Sequence, residues 1–384
     1  MIPLSVPHIS GNEWTYVKDC LDTGWVSSAG SYVDRFERAI CGYTGARYAV
    51  GCANGTAALQ VALRLVGVVP GDEVIVPTLT FIAPVNAARY MGAEPVFMDC
   101  DDCYGIDAEK TADFILKETF FRGGQTRNRK TGRRVSAIVP VHVFGNAAAL
   151  ERIVSICRER NIRIVEDAAE SMGTCYTSGS LHGRFTGTVG EIGCYSFNGN
   201  KIITTGGGGI LVTDRDEYAG RARYLTTQAK DDPIRYIHHE VGYNFRLANI
   251  PAAIGVAQLE KLPEFLETKK RNYLHYAREL RGLPGLRLAE PPDYARCNHW
   301  FYCLQIDAKV YGRDRDSLMA HLSAHGVETR PVWYPNHLQR PYKDCQGYRI
   351  EKALGLHEKT LNIPCSVGLD RPSIDKVIGL LKNE

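Results

Sequence analysis

Cys194-Tyr-Ser-Phe-Asn-Gly-Asn-Lys-Ile-Ile-Thr-Thr-Gly-Gly-Gly-Gly-Ile210 contains one charge, Lys201, in a stretch otherwise uncharged from Ile192 to Val212. A lysine among apolar residues and glycines is poorly solvated as a cation. That favours the free amine used in Schiff-base chemistry. A lone lysine more often snorkels to water, so its meaning depends on what accompanies it. Thirty-four residues earlier, Arg163-Ile-Val-Glu166-Asp167-Ala-Ala-Glu170 sets acids at the end of an apolar run. An Asp at a strand end often only caps a helix. It can also keep a pyridine nitrogen protonated, and Lys201 with Asp167 forms the pair that pyridoxal phosphate chemistry needs. A third element, Cys52-Ala-Asn-Gly-Thr56-Ala-Ala-Leu59, reads as strand, tight turn and helix start. Free N–H groups and the helix dipole make such a turn an anion site, with Gly55 and Thr56 as the phosphate binders.

Around these elements, strands alternate with helices. Tyr48–Cys52, Glu73–Val76, Pro95–Asp99, Val135–Val141, Arg163–Val165, Ile192–Phe197 and Gly209–Thr213 read as strands. Helices are expected through Val66, at Phe81–Met91 and at Ala147–Arg160. This order predicts an α/β fold with a mainly parallel sheet covered by helices on both faces. Ligands to such a sheet sit beyond the strand C-termini. Upstream, Ser10-Gly-Asn-Glu13 has the spacing of a capping box before a helix Trp14–Leu21, and a second helix is expected at Tyr32–Tyr43. Past Pro251 the pattern changes to a long helical stretch, Ala252–Leu283. A strand at Trp300–Ile306 and helices near Arg315–His325 and Arg371–Lys382 follow. The chain is therefore divided into residues 1–250, a large domain with the N-terminal segment, and 251–384, a smaller α+β domain.

Composition narrows the function classes. In 384 residues, 46 Lys and Arg balance 43 Asp and Glu, a net charge of +3. That is too small for a protein whose affinity rests on a positive field for nucleic acid. A hydrophobic content of 44% supports a large core. No run reaches the ~18 apolar residues of a membrane span, and Met1–Gly11 lacks the features of a signal peptide, so a cytoplasmic location is expected. Twelve cysteines are too sparse for a disulfide scaffold. Cys100 and Cys103 have C-x2-C spacing but no second pair, so no metal site is expected. The basic run Arg122–Arg134 reads as a solvated hairpin tip at Asn128-Arg-Lys-Thr-Gly132. No G-x4-G-K-[ST] loop occurs, and a strand rather than a helix follows Gly206–Gly209.

The combined motifs resemble the DegT-type sugar-nucleotide aminotransferases nearly end to end. The match includes Thr23-Gly-Trp-Val-Ser-Ser28, Asn54-Gly-Thr-Ala-Ala-Leu59, Pro77-Thr-Leu-Thr-Phe-Ile-Ala83 and Val141-His-Val-Phe-Gly145. It continues in Glu166-Asp-Ala-Ala-Glu170, Ser196-Phe-Asn-Gly-Asn-Lys201 and Val241-Gly-Tyr-Asn-Phe-Arg-Leu247. The resemblance implies the aspartate-aminotransferase fold, pyridoxal phosphate (fold) type I. It also implies pyridoxal 5'-phosphate as cofactor, passing through its pyridoxamine form, glutamate as amino donor, and a homodimer with shared active sites. The form of the Lys201 segment resembles the branch that aminates nucleotide-linked 4-keto-6-deoxy-hexoses, on routes to legionaminic acid or bacillosamine-type sugars of surface glycans.

By the same resemblance, Lys201 forms the Schiff base and Asp167 pairs with the pyridine nitrogen. Gly55, Thr56 and Ser196 hold the phosphate, with Asn244 reaching in from a second subunit. Glu170 lies near the cofactor's 3-hydroxyl, and Phe81 stacks on its ring. Trp25, His239, Tyr334 and His337 stand at substrate positions, with His238 and Arg246 as weaker candidates. Many family members have Gln or His at position 170, and Gly-Glu-Gly-Gly at 206–209. A sugar dehydratase of this fold would carry His where Lys201 stands. A non-catalytic regulator would not need Lys201, Asp167 and the anion turn together. A dinucleotide dehydrogenase would need G-x-G-x-x-G in the first turn.

Overall fold

Apolar runs bounded by Gly, Pro and Asn become the strands of an eight-stranded sheet in a computed structural model that describes residues 1–232 and 234–382. The last two residues of the expected second domain lie outside the described residues. Across the sheet the order is Tyr48–Cys52, Gly209–Thr213, Ile192–Ser196, Arg163–Asp167, Val135–Ile138, Glu73–Pro77, Glu94–Met98 and Gly347–Tyr348. From Ile192–Ser196 to the far edge all neighbours are parallel, whereas Gly209–Thr213 runs antiparallel to both its partners. The sheet is mixed but mainly parallel, as the alternation predicts. Its strands are buried on both faces, which is why Val74-Ile-Val-Pro77 reads as a continuous rather than alternating apolar run.

The topology brings chemistry to one end. Cys52, Asp167 and Ser196 finish their strands there, and the reversed strand starts there, with Gly209 opposite both Cys52 and Ser196. The long helix spans Asn249–Glu279, longer at its start and shorter at its end than expected, and contains Pro263. It packs against helices Glu13–Asp22 and Ser31–Thr44. Gly255 permits close approach there: a Cβ on it would lie 2.8 Å from the Phe36 ring, which meets Phe197 edge-on at 5.1 Å. A second, antiparallel sheet orders Leu286–Leu288, Tyr302–Ile306, Thr360–Ile363 and Arg330–Pro331. Tyr276, Tyr302, Leu304 and Leu361 fill its core. The two regions interlock: Gly347–Tyr348 completes the large sheet, and Ile2 bridges to Val327.

Three local expectations need correction. The Ser10–Glu13 capping box does not form. The helix starts at Glu13 after Asn12, with no side-chain cap. The Glu13 carboxylate instead accepts the Gly11 N–H at 2.7 Å and the Gln258 amide at 2.5 Å, drawn inward by a helix far along the chain. The helix predicted at Ala147–Arg160 begins only at Leu150, and the strand predicted through Val141 stops at Ile138. The basic segment keeps its expected tip at Asn128–Gly132 and adds a second, which makes it a meander. Thr119–Arg122 pairs with Gln125–Asn128 across Gly123-Gly124, both at positive φ, and Asn128–Gly132 turns back to set Arg127 against Arg134. Cys100 and Cys103 lie just past Glu94–Met98, and burial raises both thiols, Cys103 to about 12.

Candidate active site

One end of the site is a turn built by close backbone approach. Asn54, extended at φ −165°, caps the helix Gly55–Leu65 by accepting the Ala57 N–H at 2.8 Å. The N–H groups of Gly55 and Thr56 have no partner among the described residues. This is the state of first-turn donors, and it suits an anion. A Cβ on Gly209 would lie 2.4 Å from the Asn54 carbonyl carbon, and one on Gly55 would lie 2.9 Å from Ser196 Cβ. Both glycines therefore let the turn close onto the strand ends, beside Ser196.

The other end holds one lysine and two acids. Lys201 Nζ lies 3.7 Å from Glu170 Oε1 and 4.1 Å from the centre of the Trp300 ring. Glu170 Oε2 accepts the Phe144 N–H at 2.8 Å, from a residue held at φ +58°. Burial raises the Glu170 carboxyl to about 7, against the pull of the Lys201 charge and the Phe144 N–H. Asp167 is buried, and its carboxylate receives one hydrogen bond among the described residues, from the Ala169 N–H at 3.0 Å. Burial raises its pKa too, against that N–H and the Lys201 charge. A buried carboxylate so short of donors is costly by itself and fits an arriving cation.

Behind the acids lies a fixed support. Glu166 accepts from His142 Nε2 at 2.9 Å and from the N–H groups of Gly187, Val189 and Gly190 at 2.6–2.8 Å. His142 Nδ1 faces the Ala148 N–H at 3.1 Å, which leaves the proton on Nε2. Burial would raise Glu166, but His142 and these donors hold it below the usual carboxylate range.

A cavity of about 560 Å³ is lined by Gly55, Thr56, Phe81, Asp167, Glu170, Ser196 and Lys201. Its two ends offer an anion seat, an amine and an under-paired buried acid. These match the phosphate, aldehyde and ring nitrogen of pyridoxal phosphate, so the residues present fit that group. Five other candidates do not line the cavity. Trp25 is 60% exposed and gives its carbonyl to Asn249. His239 and Asn244 are exposed. Tyr334 is exposed and meets His357 edge-on, and His337 Nδ1 is engaged with Thr78 Oγ1 at 2.6 Å. Of the weaker pair, His238 binds backbone carbonyls and Arg246 pairs with Glu37.

Sequence reasoning passed over Leu4, Asn200, Trp300, Arg330 and Asn362, which also line the cavity. Arg330 and Lys201 are its cationic side chains among the described residues. Arg330 pairs with Glu328 at 3.1 Å. Its one signal was a cation, Thr329-Arg330-Pro331, just ahead of the aromatic Trp333-Tyr334.

Residues 7–382 match the DegT/DnrJ/EryC1/StrS aminotransferase family. GDP-perosamine synthase of Caulobacter vibrioides is 38% identical over 99% of this chain and 97% of its own. EpsN of Bacillus subtilis, described as a putative pyridoxal phosphate-dependent aminotransferase, is 36% identical over 91% of this chain and 86% of its own. The crystal structure of DesI in the presence of its TDP-sugar product superposes with a TM-score of 0.87 at 28% identity. It covers 99% of this chain and 91% of DesI. No helix among the described residues is long and apolar enough to cross a membrane. With a match spanning almost its whole length and relatives this similar, the chain belongs to the DegT/DnrJ/EryC1/StrS aminotransferase family.

Proposed function

We propose that this enzyme uses pyridoxal phosphate to move an amino group from glutamate to the keto carbon of a nucleotide-linked 4-keto-6-deoxy-hexose. The product is a 4-amino sugar nucleotide made in the cytoplasm for surface glycans. The observation that carries the reading is the meeting of Lys201, Asp167 and the free Gly55 and Thr56 N–H groups in one cavity. The names of the relatives, GDP-perosamine synthase and DesI with its TDP-sugar product, support a nucleotide-sugar substrate.

The cofactor, when bound, supplies an electron sink for loss of a proton from carbon. The chain supplies the rest. Lys201 Nζ is the covalent anchor and then the base and acid that carries that proton. Glu170 Oε1, beside it, holds the ammonium when Lys201 is charged. Asp167 pairs with the protonated ring nitrogen. The Gly55–Thr56 turn and Ser196 hold the phosphate, and Phe81, half-exposed at the cavity, covers a ring face. Asn244, Trp25 and His239 do not line this chain's own cavity. We read them as reaching the site of a second copy in a homodimer. The exposed apolar surface at Trp25, Tyr236 and Val241 supports that pairing.

The test is a visible absorption spectrum of the purified protein with pyridoxal phosphate, before and after glutamate. A band that forms, bleaches with glutamate and is missing in Lys201→Ala supports the proposal. No band in the wild type overturns the roles of Lys201 and Asp167. A band indifferent to glutamate overturns the donor. The bleached enzyme is then offered GDP-, UDP- and dTDP-linked 4-keto-6-deoxy-hexoses, the GDP-linked sugar first.

A further inference from the structure

Lys201 is gripped by a residue from a distant part of the chain. Trp300 is 2% exposed, and its indole face lies 4.1 Å from Lys201 Nζ. Its ring N–H donates at 2.7 Å to the carbonyl of Asn200, the residue just before Lys201. One side chain thus touches the loop at two adjacent points, once through its face and once through its edge.

The indole itself is fixed. Its ring stacks on Phe301 at 4.0 Å. The Trp300 N–H donates to Asn298 Oδ1 at 2.9 Å, across His299 at φ +51°. The Asn298 amide donates to the carbonyls of Glu170 and Met172, at 2.8 and 3.0 Å. The turn therefore fastens the Glu170 backbone as well as the Lys201 loop. Beneath it, Lys269 from the long helix is 2% exposed and has no acid partner among the described residues. It donates to the carbonyls of Trp300 at 2.7 Å and Cys365 at 2.5 Å. Burial lowers the Lys269 pKa, and its two donated hydrogen bonds pin the backbone of Trp300.

We infer that Trp300 is a positioning residue for Lys201, carrying the amine on its indole face and tying down the Asn200 carbonyl with its ring N–H. The inference rests on the role proposed for Lys201, but its test does not need the cofactor. An aromatic face holds the ammonium more strongly than the neutral amine. Its loss releases the Lys201 side chain from that face, and the released amine meets a reagent more often.

The experiment compares Trp300→Phe and Trp300→Leu with the wild type, all free of cofactor. A trace of an amine-acylating reagent is added at fixed pH, and labelling of Lys201 is read by peptide mass spectrometry against the exposed Lys18. Phe keeps a face and loses the N–H, whereas Leu loses both. Lys201 labelling is expected to rise in the order wild type, Phe, Leu. The Leu variant should exceed the wild type by roughly 2- to 30-fold, the range of an aromatic–cation contact. Variants that fold, by thermal melting, and label Lys201 at the wild-type rate overturn the inference. If Leu fails to fold, the Phe comparison decides alone. Failure of the wild type to take up pyridoxal phosphate would overturn the proposed function instead.

Discussion

Replacing Glu170 by Gln should make the cofactor-free protein's stability less dependent on pH. The native Glu170 carboxyl titrates at about 7, against 4.5 for an unburied Glu, because burial penalises its charged form. Between those two values the folded protein holds a proton that the unfolded chain has released. Stability therefore falls as pH rises through that window. A rise of that size corresponds to roughly 3 kcal/mol between pH 4.5 and pH 8. Gln keeps the acceptor for the Phe144 N–H but cannot ionise. Asp101, which burial also raises to about 7, is present in both proteins and cancels in the difference. Urea unfolding at pH 5, 6, 7 and 8 gives the two curves. Glu170→Gln should gain on the wild type by roughly 2.5 kcal/mol from pH 5 to pH 8. Parallel curves would refute the buried, proton-holding state of Glu170.

Gly209→Ala should lower stability by about 1–3 kcal/mol and loosen cofactor retention, since its Cβ would press on the Asn54 backbone. Gly199→Ala, where nothing lies within 4 Å, serves as the control in the same melts. Glu166→Ala should cost about 3–5 kcal/mol in chemical unfolding, because it strands the buried His142 and three N–H groups, one of them fully buried. Arg330→Ala should raise KM for one anionic substrate by about 10- to 100-fold with kcat little changed, as steady-state kinetics on donor and sugar separately would reveal. An equal mixture of Lys201→Ala and Asn244→Ala chains, reassorted at random, should regain about a quarter of wild-type turnover, half in each mixed dimer, if each site draws on both subunits. No recovery would place Asn244 outside the partner's site.

The elements that announce themselves in the sequence are those whose cause is local. Val74-Ile-Val-Pro77 is apolar throughout because both faces of its strand are covered. Asn54-Gly-Thr56 announces a helix start because the cap lies within its own turn. Lys201, Asp167 and Glu170 stand out because charge in apolar surroundings is rare. What stayed hidden depends on distant partners. Glu13 leaves its capping role for Gln258, and Trp300 reaches back to Asn200, each a contact between remote parts of the chain. In sequence Trp300 is one more aromatic at the start of a strand. Similarly, Glu166 and Asp167 are adjacent acids in the sequence. Only the fold separates a carboxylate with four partners from one with a single donor facing a cavity.

The strand Gly347–Tyr348, added to the far edge of the large sheet, bears on synthesis as well as shape. Glu94-Pro-Val-Phe-Met98 has one neighbour early in the chain and receives the other only from Gly347–Tyr348. While the ribosome makes the residues between, an apolar strand edge stays open to wrong partners. Pro95 removes one N–H from that strand, a feature characteristic of edge strands. The sheet is therefore finished last, by a segment that also commits the C-terminal half to its place, and a truncated chain is left with a sticky rim.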